Sequence, residues 1–139
     1  MKYQIKAVHM FRVPEGRDLI EYINEYAAKE DIRTAVVSGI GTLQNPVIGY
    51  FMEEKGAYKK IELSGMYEIT SLEGNISLKD GHLFTHIHIN LGDADGKILG
   101  GHLIKGNVYV AEIVIIELSG TPLERIPHGP LSLWKPESV

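Results

Sequence analysis

The stretch HLFTHIHINLGDADGKILGGHL, residues 82–103, holds four of the chain's six histidines, at positions 82, 86, 88 and 102. Strand side chains alternate between two faces. Over 82–91, Leu83, Thr85, Ile87, Ile89 and Leu91 share one face, and their apolar character marks it as the core face. His82, Phe84, His86, His88 and Asn90 share the other. Ala94-Asp95-Gly96 suits a three-residue hairpin loop, a type I turn followed by a left-handed residue, a position that glycine takes without steric cost. Closed this way, the hairpin pairs Asp93 with Lys97, Asn90 with Gly100 and His88 with His102, and leaves His86 diagonal to that pair. Directly opposed residues have Cβ atoms about 5 Å apart and diagonal ones about 7–8 Å. Three imidazoles so placed can converge on one ion with Zn–N bonds of about 2.0–2.1 Å. A two-residue loop at Asp95-Gly96 would shift the register by one and turn His102 to the wrong face.

The hairpin therefore predicts a metal site of His86, His88 and His102; the competing reading is a polar strand face or a subunit interface. Neutral imidazoles suit zinc, and nickel, copper or iron also accept them. Three protein ligands leave a fourth position for water, substrate or a further side chain. A zinc-bound water can ionise near neutral pH and attack an electrophile, so such a site permits hydrolytic or lyase chemistry without demonstrating it. Gly100 and Gly101, mid-strand glycines, are expected either to clear space beside the site for a ligand or another subunit, or merely to kink the strand.

Outward from the hairpin, Tyr3 to Phe11 alternates with period two and reads as a first strand. VPEG ends it, Gly16 is the expected helix cap, and Asp18 falls in the first turn, where a negative charge suits the helix dipole. Leu19, Ile20, Ile23, Tyr26 and Ala27 recur at helical spacing, which predicts one amphipathic helix over 17–30. TAVVSGIG, 34–41, reads as a short buried strand. Segments 46–53, 58–71, 74–79, 82–91, 97–105 and 108–118 have strand composition, with EEKG, LEGN, KDG, DADG and KGN as the expected turns. One helix with about eight strands predicts an α+β domain, the helix laid on a largely antiparallel sheet. The 139 residues suit a single domain, with a core over about 3–120. Pro122, Pro127, Pro130 and Pro136 predict an irregular tail over 121–139, while Leu131, Leu133 and Trp134 predict that it packs on its own sheet or on a neighbouring subunit.

Composition narrows the function. A net charge of −4 with dispersed lysines and arginines, the longest basic run being Lys59-Lys60, argues against autonomous DNA binding, which rests on phosphate neutralisation. No apolar run approaches the roughly 20 residues of a membrane span. The alternating N-terminus lacks a signal-peptide hydrophobic region, and the absence of cysteine removes disulfides and thiolate chemistry, so a cytoplasmic setting is expected. No nucleophile elbow or phosphate-binding loop occurs, and an enzyme built on this chain would have to work through the metal.

Further candidates each have a plainer reading. His9 and His82 are a potential fourth ligand, or separate surface residues. Glu68 and Glu112, mid-strand carboxylates, would orient a ligand histidine or a metal-bound water, or else form a salt bridge or subunit contact. Ser38-Gly39-Ile40-Gly41 would present backbone N–H groups to an anion, or make a tight turn. Arg12 would clamp a carboxylate, or pair with Glu15.

The chain resembles the PPC (plants and prokaryotes conserved) domain family over about residues 5–120. HIHINLGDADGKILGGHL carries the resemblance most specifically, with GRDLIEYI followed by AVVSGIGTL, and SGMYEITSLEGNISL, in the same order. The resemblance implies an α+β domain that assembles as a homotrimer, and single-domain prokaryotic members that bind metal through the positions of His86, His88 and His102. In plants the domain follows AT-hook motifs that grip the minor groove. This sequence has no Arg-Gly-Arg-Pro hook, so the DNA binding of those proteins does not carry over. The family's partner-contact motif, Gly-Arg-Phe-Glu-Ile-Leu, corresponds to Gly65-Met66-Tyr67-Glu68-Ile69-Thr70; the lost arginine puts a transcription-factor partner in doubt. The family names no reaction. The expected function is thus a trimeric, zinc-type metal-binding protein that takes a small anionic ligand. The alternatives are a DNA-associated or scaffolding trimer and a metal-dependent hydrolase or lyase.

Overall fold

A computed structural model describes residues 1–135. In chain order the elements are β1 (Gln4–Val13), α1 (Leu19–Lys29), β2 (Ala35–Met52), a 3-10 turn (Glu53–Lys55), β3 (Ala57–Glu62), β4 (Met66–Lys79), β5 (His82–Gly92), β6 (Ile98–Ser119), β7 (Glu124–His128) and β8 (Leu131–Trp134). The α+β architecture matches the expectation: eight strands in one sheet with one α-helix, every pairing antiparallel except the short β4–β7 contact. No helix among the described residues is long and apolar enough to cross a membrane.

The sheet closes on itself. β2 pairs with both β4 and β6, and β5 joins β4 to β6, so these four strands form a ring of ladders. β1 adds to β6, and β3 to β2. Ile48, Leu72, Ile76, Ile87, Leu91, Leu103, Ile113 and Ile115 are fully buried. The helix supplies Leu19, Ile23 and Ala27 to the same core, one residue per turn along one stripe. On β5, burial alternates as the pattern requires: Thr85, Ile87, Ile89 and Leu91 are buried, while His88 and Asn90 are exposed. A one-residue slip would carry Ile87, Ile89 and Leu91 outward, at about 1.5–3 kcal/mol each, so the core decides which face the histidines occupy.

Asp18, rather than Gly16, caps the helix: its Oδ1 accepts from the amides of Ile20 and Glu21 at 3.0 and 3.1 Å. Its Oδ2 accepts from the Gly106 amide at 3.0 Å and ties the helix start to β6. Gly16 sits just before, at φ 81, where the chain turns.

The strand count agrees with expectation, but the strands do not. The expected strands at 34–41 and 46–53 are one strand, β2, and those at 97–105 and 108–118 are one strand, β6. The punctuation between them marks bulges and close packing. Asn45, at φ 49, and Pro46 fall where the β2–β6 register shifts, a place where a left-handed residue and a missing N–H are tolerated. In KGN, Gly106 is buried against Leu43, whose Cδ1 would lie 2.7 Å from an added Cβ. LEGN is likewise no turn: Gly74 runs mid-strand opposite Ile87, where a side chain would collide with the His86 carbonyl. The break falls instead at Leu63–Gly65, inside the expected strand 58–71. Ser38–Gly41 also lies within β2, with a bulge between Gly39 and Gly41, and is not a tight turn.

The tail departs most from expectation. Instead of an irregular segment, β7 and β8 form a hairpin, and β7 docks parallel to β4 through Leu78–Glu124 and Lys79–Arg125. Proline is compatible with an edge position, and Pro127 sits opposite Ser132 in this outer hairpin. The expectation that the tail packs on its own sheet is met; the expected break at Pro136 lies outside the described residues.

Candidate metal centre

Asp93 N donates to the Lys97 carbonyl at 2.9 Å, and Gly96 N to the Asp93 carbonyl at 3.0 Å, closing the three-residue loop. Gly96 takes the left-handed position, at φ 76. Asp93 Oδ1 accepts from the amides of Asp95 and Lys97, both at 2.9 Å, and stiffens the turn. The register follows: His88 opposes His102, Asn90 opposes Gly100 and Gly92 opposes Ile98.

The three imidazoles converge. Their ring centroids are 5.0 Å apart for His86–His88, 5.0 Å for His86–His102 and 5.8 Å for His88–His102. One nitrogen from each ring lies within 4.8 Å of the others. His86 and His102 are half-buried and His88 is exposed, so the cluster opens to solvent on the His88 side. His102 Nδ1 is buried with no hydrogen-bond partner among the described residues. Leaving such an atom unpaired costs about 1–3 kcal/mol, and a ring nitrogen without a protein partner in a three-histidine cluster is compatible with ligation.

Electrostatics favour the ligating state. Burial pushes His86 down to about 4, with His102, Arg125 and His88 adding to the effect. Burial, then His88 and Arg125, also lower His102. Both imidazoles are therefore neutral near pH 7, the form that binds metal. The donor set and the unpartnered His102 nitrogen thus fit a divalent transition ion.

The wall around the cluster comes from residues with no signal in the local pattern. Tyr58 of β3 lies on His102, ring centroids 4.8 Å apart. Gly49 makes room for it, since an added Cβ there would stand 2.9 Å from the Tyr58 ring. Gly101 serves the same packing: an added Cβ would lie 2.7 Å from the Gly49 carbonyl. An added Cβ at Gly100 would meet the Asn90 side chain. These two glycines thus bring neighbouring strands close and do not clear ligand space. Arg125 arrives from β7, its Nη2 3.4 Å from His86 Nδ1. Asn75 and Glu73 of β4 stand opposite His86 and His88 in the ladder.

The remaining candidates lie elsewhere. His9 contacts the Tyr26 hydroxyl at 3.1 Å and Glu117 at 3.4 Å, and His82 pairs with Lys79 at the far end of β5; neither joins the histidine cluster. Glu68 accepts a hydrogen bond from the Thr42 hydroxyl at 3.0 Å and stands opposite Gly92. Glu112 stands opposite Arg12 on the β1–β6 ladder, ten positions along β6 from His102. Neither glutamate orients a ligand histidine. Arg12 makes no ion pair with Glu15; with Ser38, Gly39 and Ile40 it lines a surface groove of about 710 Å³.

Residues 2–119 match the profile of the Plants and Prokaryotes Conserved (PCC) domain. A plant- and prokaryote-conserved (PPC) protein of Pyrococcus horikoshii is 50% identical and superposes with a TM-score of 0.96, over 99% of this chain and 97% of that one. A metal-containing protein from Archaeoglobus fulgidus is 38% identical, with a TM-score of 0.92 over 97% of both chains. AT-hook motif nuclear-localized protein 21 of Arabidopsis thaliana is 29% identical over 86% of this chain and 42% of its own length. The chain thus spans about two-fifths of the length of the curated relatives it matches.

Proposed function

We propose that this chain, which belongs to the Plants and Prokaryotes Conserved domain family, binds a divalent transition metal through His86, His88 and His102. The observation that carries the reading is the convergence of three imidazoles, one nitrogen from each within 4.8 Å of the others. Zinc is the first choice for three neutral imidazoles, with nickel, copper and iron behind it. The description of the Archaeoglobus fulgidus relative as metal-containing supports the reading. When bound, such an ion supplies Lewis acidity; the protein's part is to hold neutral imidazoles on a rigid hairpin and leave the His88 side open to a small anionic ligand.

The proposed assembly is a homotrimer. Val8, Ile116 and Val36 form one cross-strand row, and Met10, Val114 and Ser38 the next. Val8 is 56% exposed and Met10 76%, on a face that the helix does not cover. A contiguous apolar patch of this kind is suited to burial between copies of the chain.

A second reading, a DNA-associated or scaffolding protein, draws on the AT-hook relative, but a net charge of −4 ranks it below metal binding. A hydrolase or lyase acting through the metal is the third. Elemental analysis of protein purified without a histidine tag tests the first reading: about one metal per chain supports it. No metal after supplementation with zinc, nickel, copper and iron sinks it.

A further inference from the structure

Arg125 is 8% exposed, and every partner it has among the described residues is neutral. Nε donates to Ser77 Oγ at 2.8 Å, Nη1 to the Ser132 carbonyl at 3.0 Å and Nη2 to Asn75 Oδ1 at 2.8 Å. The rings of Phe84 and Trp134 flank the guanidinium carbon at 4.8 and 5.8 Å. A guanidinium carries five N–H donors in a planar fork. Three are used in these bonds, and the second Nη2 hydrogen faces His86 Nδ1 at a long 3.4 Å, which leaves one Nη1 donor unengaged and one Nη2 donor weakly held on the side of the histidines. A buried cation is tolerated best where an opposite charge reaches it. Among the described residues no carboxylate pairs with Arg125. Glu73 of β4 is exposed and stands opposite His88.

We propose that Arg125 is one half of an oxyanion site: a small carboxylate or phosphate group is held between its guanidinium and the metal on His86, His88 and His102. This rests on the metal-binding reading above. Arginine suits the role because its fork matches the geometry of carboxylate and phosphate, whereas lysine offers only a point charge. The rings of Phe84 and Trp134 flank the guanidinium and Tyr58 lies on His102, so water reaches the pair from fewer sides and an ionic contact there is less screened than on an open surface. Three neutral tethers hold the guanidinium in one orientation, so little freedom is lost when an anion binds.

Arg125 also pins the β7–β8 hairpin to β4, and a purely structural role predicts something different. The test loads the full chain, and its Arg125→Gln and Arg125→Lys variants, with cobalt(II). Each is titrated with inorganic phosphate, and separately with oxalate, while the visible absorption of the ion is followed. The expected result is a saturable spectral change with at least one anion, and the one that acts names the ligand class. In Arg125→Gln the anion should bind about 10- to 100-fold more weakly at unchanged cobalt content, with Arg125→Lys in between. An unaltered spectrum in the parent, or variants that bind the anion as the parent does, would overturn the proposal. Loss of cobalt from both variants would overturn it too, by making Arg125 a scaffold of the cluster. Failure of the parent to take up cobalt would refute the metal site itself, a result distinct from loading without an anion response.

Discussion

His88 and His102 face each other across the β5–β6 ladder, ring planes at 89° and centroids 5.8 Å apart, as a directly paired couple. This pairing is set by a turn six residues away at its nearest: Gly96 in the left-handed conformation makes the loop three residues long, and three residues bring the two histidines to one face.

Replacing either member of the pair should abolish the site without unfolding the chain. In His88→Ala and His102→Ala, metal affinity should fall by more than the roughly 10–100-fold that follows loss of an outer-shell partner. Elemental analysis beside far-UV circular dichroism checks this; a variant that keeps the parent's metal content would remove that histidine from the ligand set.

Acid should weaken the metal-free protein through His86. Its folded value of about 4 lies below the ordinary 6.5, so between these limits the unfolded chain binds more protons. Stability therefore falls as pH drops from about 6.5 towards about 4 and is restored on raising it. With the ring half-buried and partly screened, the loss should be on the order of 1–2 kcal/mol. Urea unfolding across that range reads it, and His86→Gln should show a shallower slope than the parent.

Gly74→Ala should destabilise the fold by about 1–3 kcal/mol. The new methyl would collide with the His86 carbonyl and stand 2.9 Å from the Ile87 side chain, pushing β5 away from β4. Because His86 rides on that segment, the variant should also bind metal more weakly. Chemical denaturation and metal titration are the readouts, and a stability equal to the parent's would show that the strands part freely there.

The outer apolar face should govern assembly. Light scattering should give three chain masses for the parent, and Val8→Asp or Met10→Asp should shift it towards monomer, since each places a charge in the exposed patch. A parent that runs as a monomer would count against the trimer.

Duplex DNA should not bind appreciably at physiological salt, given a net charge of −4. Fluorescence anisotropy across a salt series measures this. Tight binding that weakens steeply with salt would move the DNA-associated reading to first place.

The β5–β6 hairpin was legible because its information is local. Period-two alternation named the core face, and Ala94-Asp95-Gly96 named the loop length, hence the meeting of His86, His88 and His102. The helix stripe of Leu19, Ile23 and Ala27 was legible for the same reason. Local pattern failed where one residue type serves two purposes. Gly74 and Gly106 read as turn residues, yet they lie mid-strand because a neighbouring strand or Leu43 fills the space of their missing side chains. Nothing in the alternation of β3 placed Tyr58 on His102, and nothing in a proline-rich tail announced that Arg125 would reach His86, 39 positions away in sequence. Those contacts follow from which strands pair across the closed ring. That choice is made by the burial energy of the whole core, which short-range pattern does not encode.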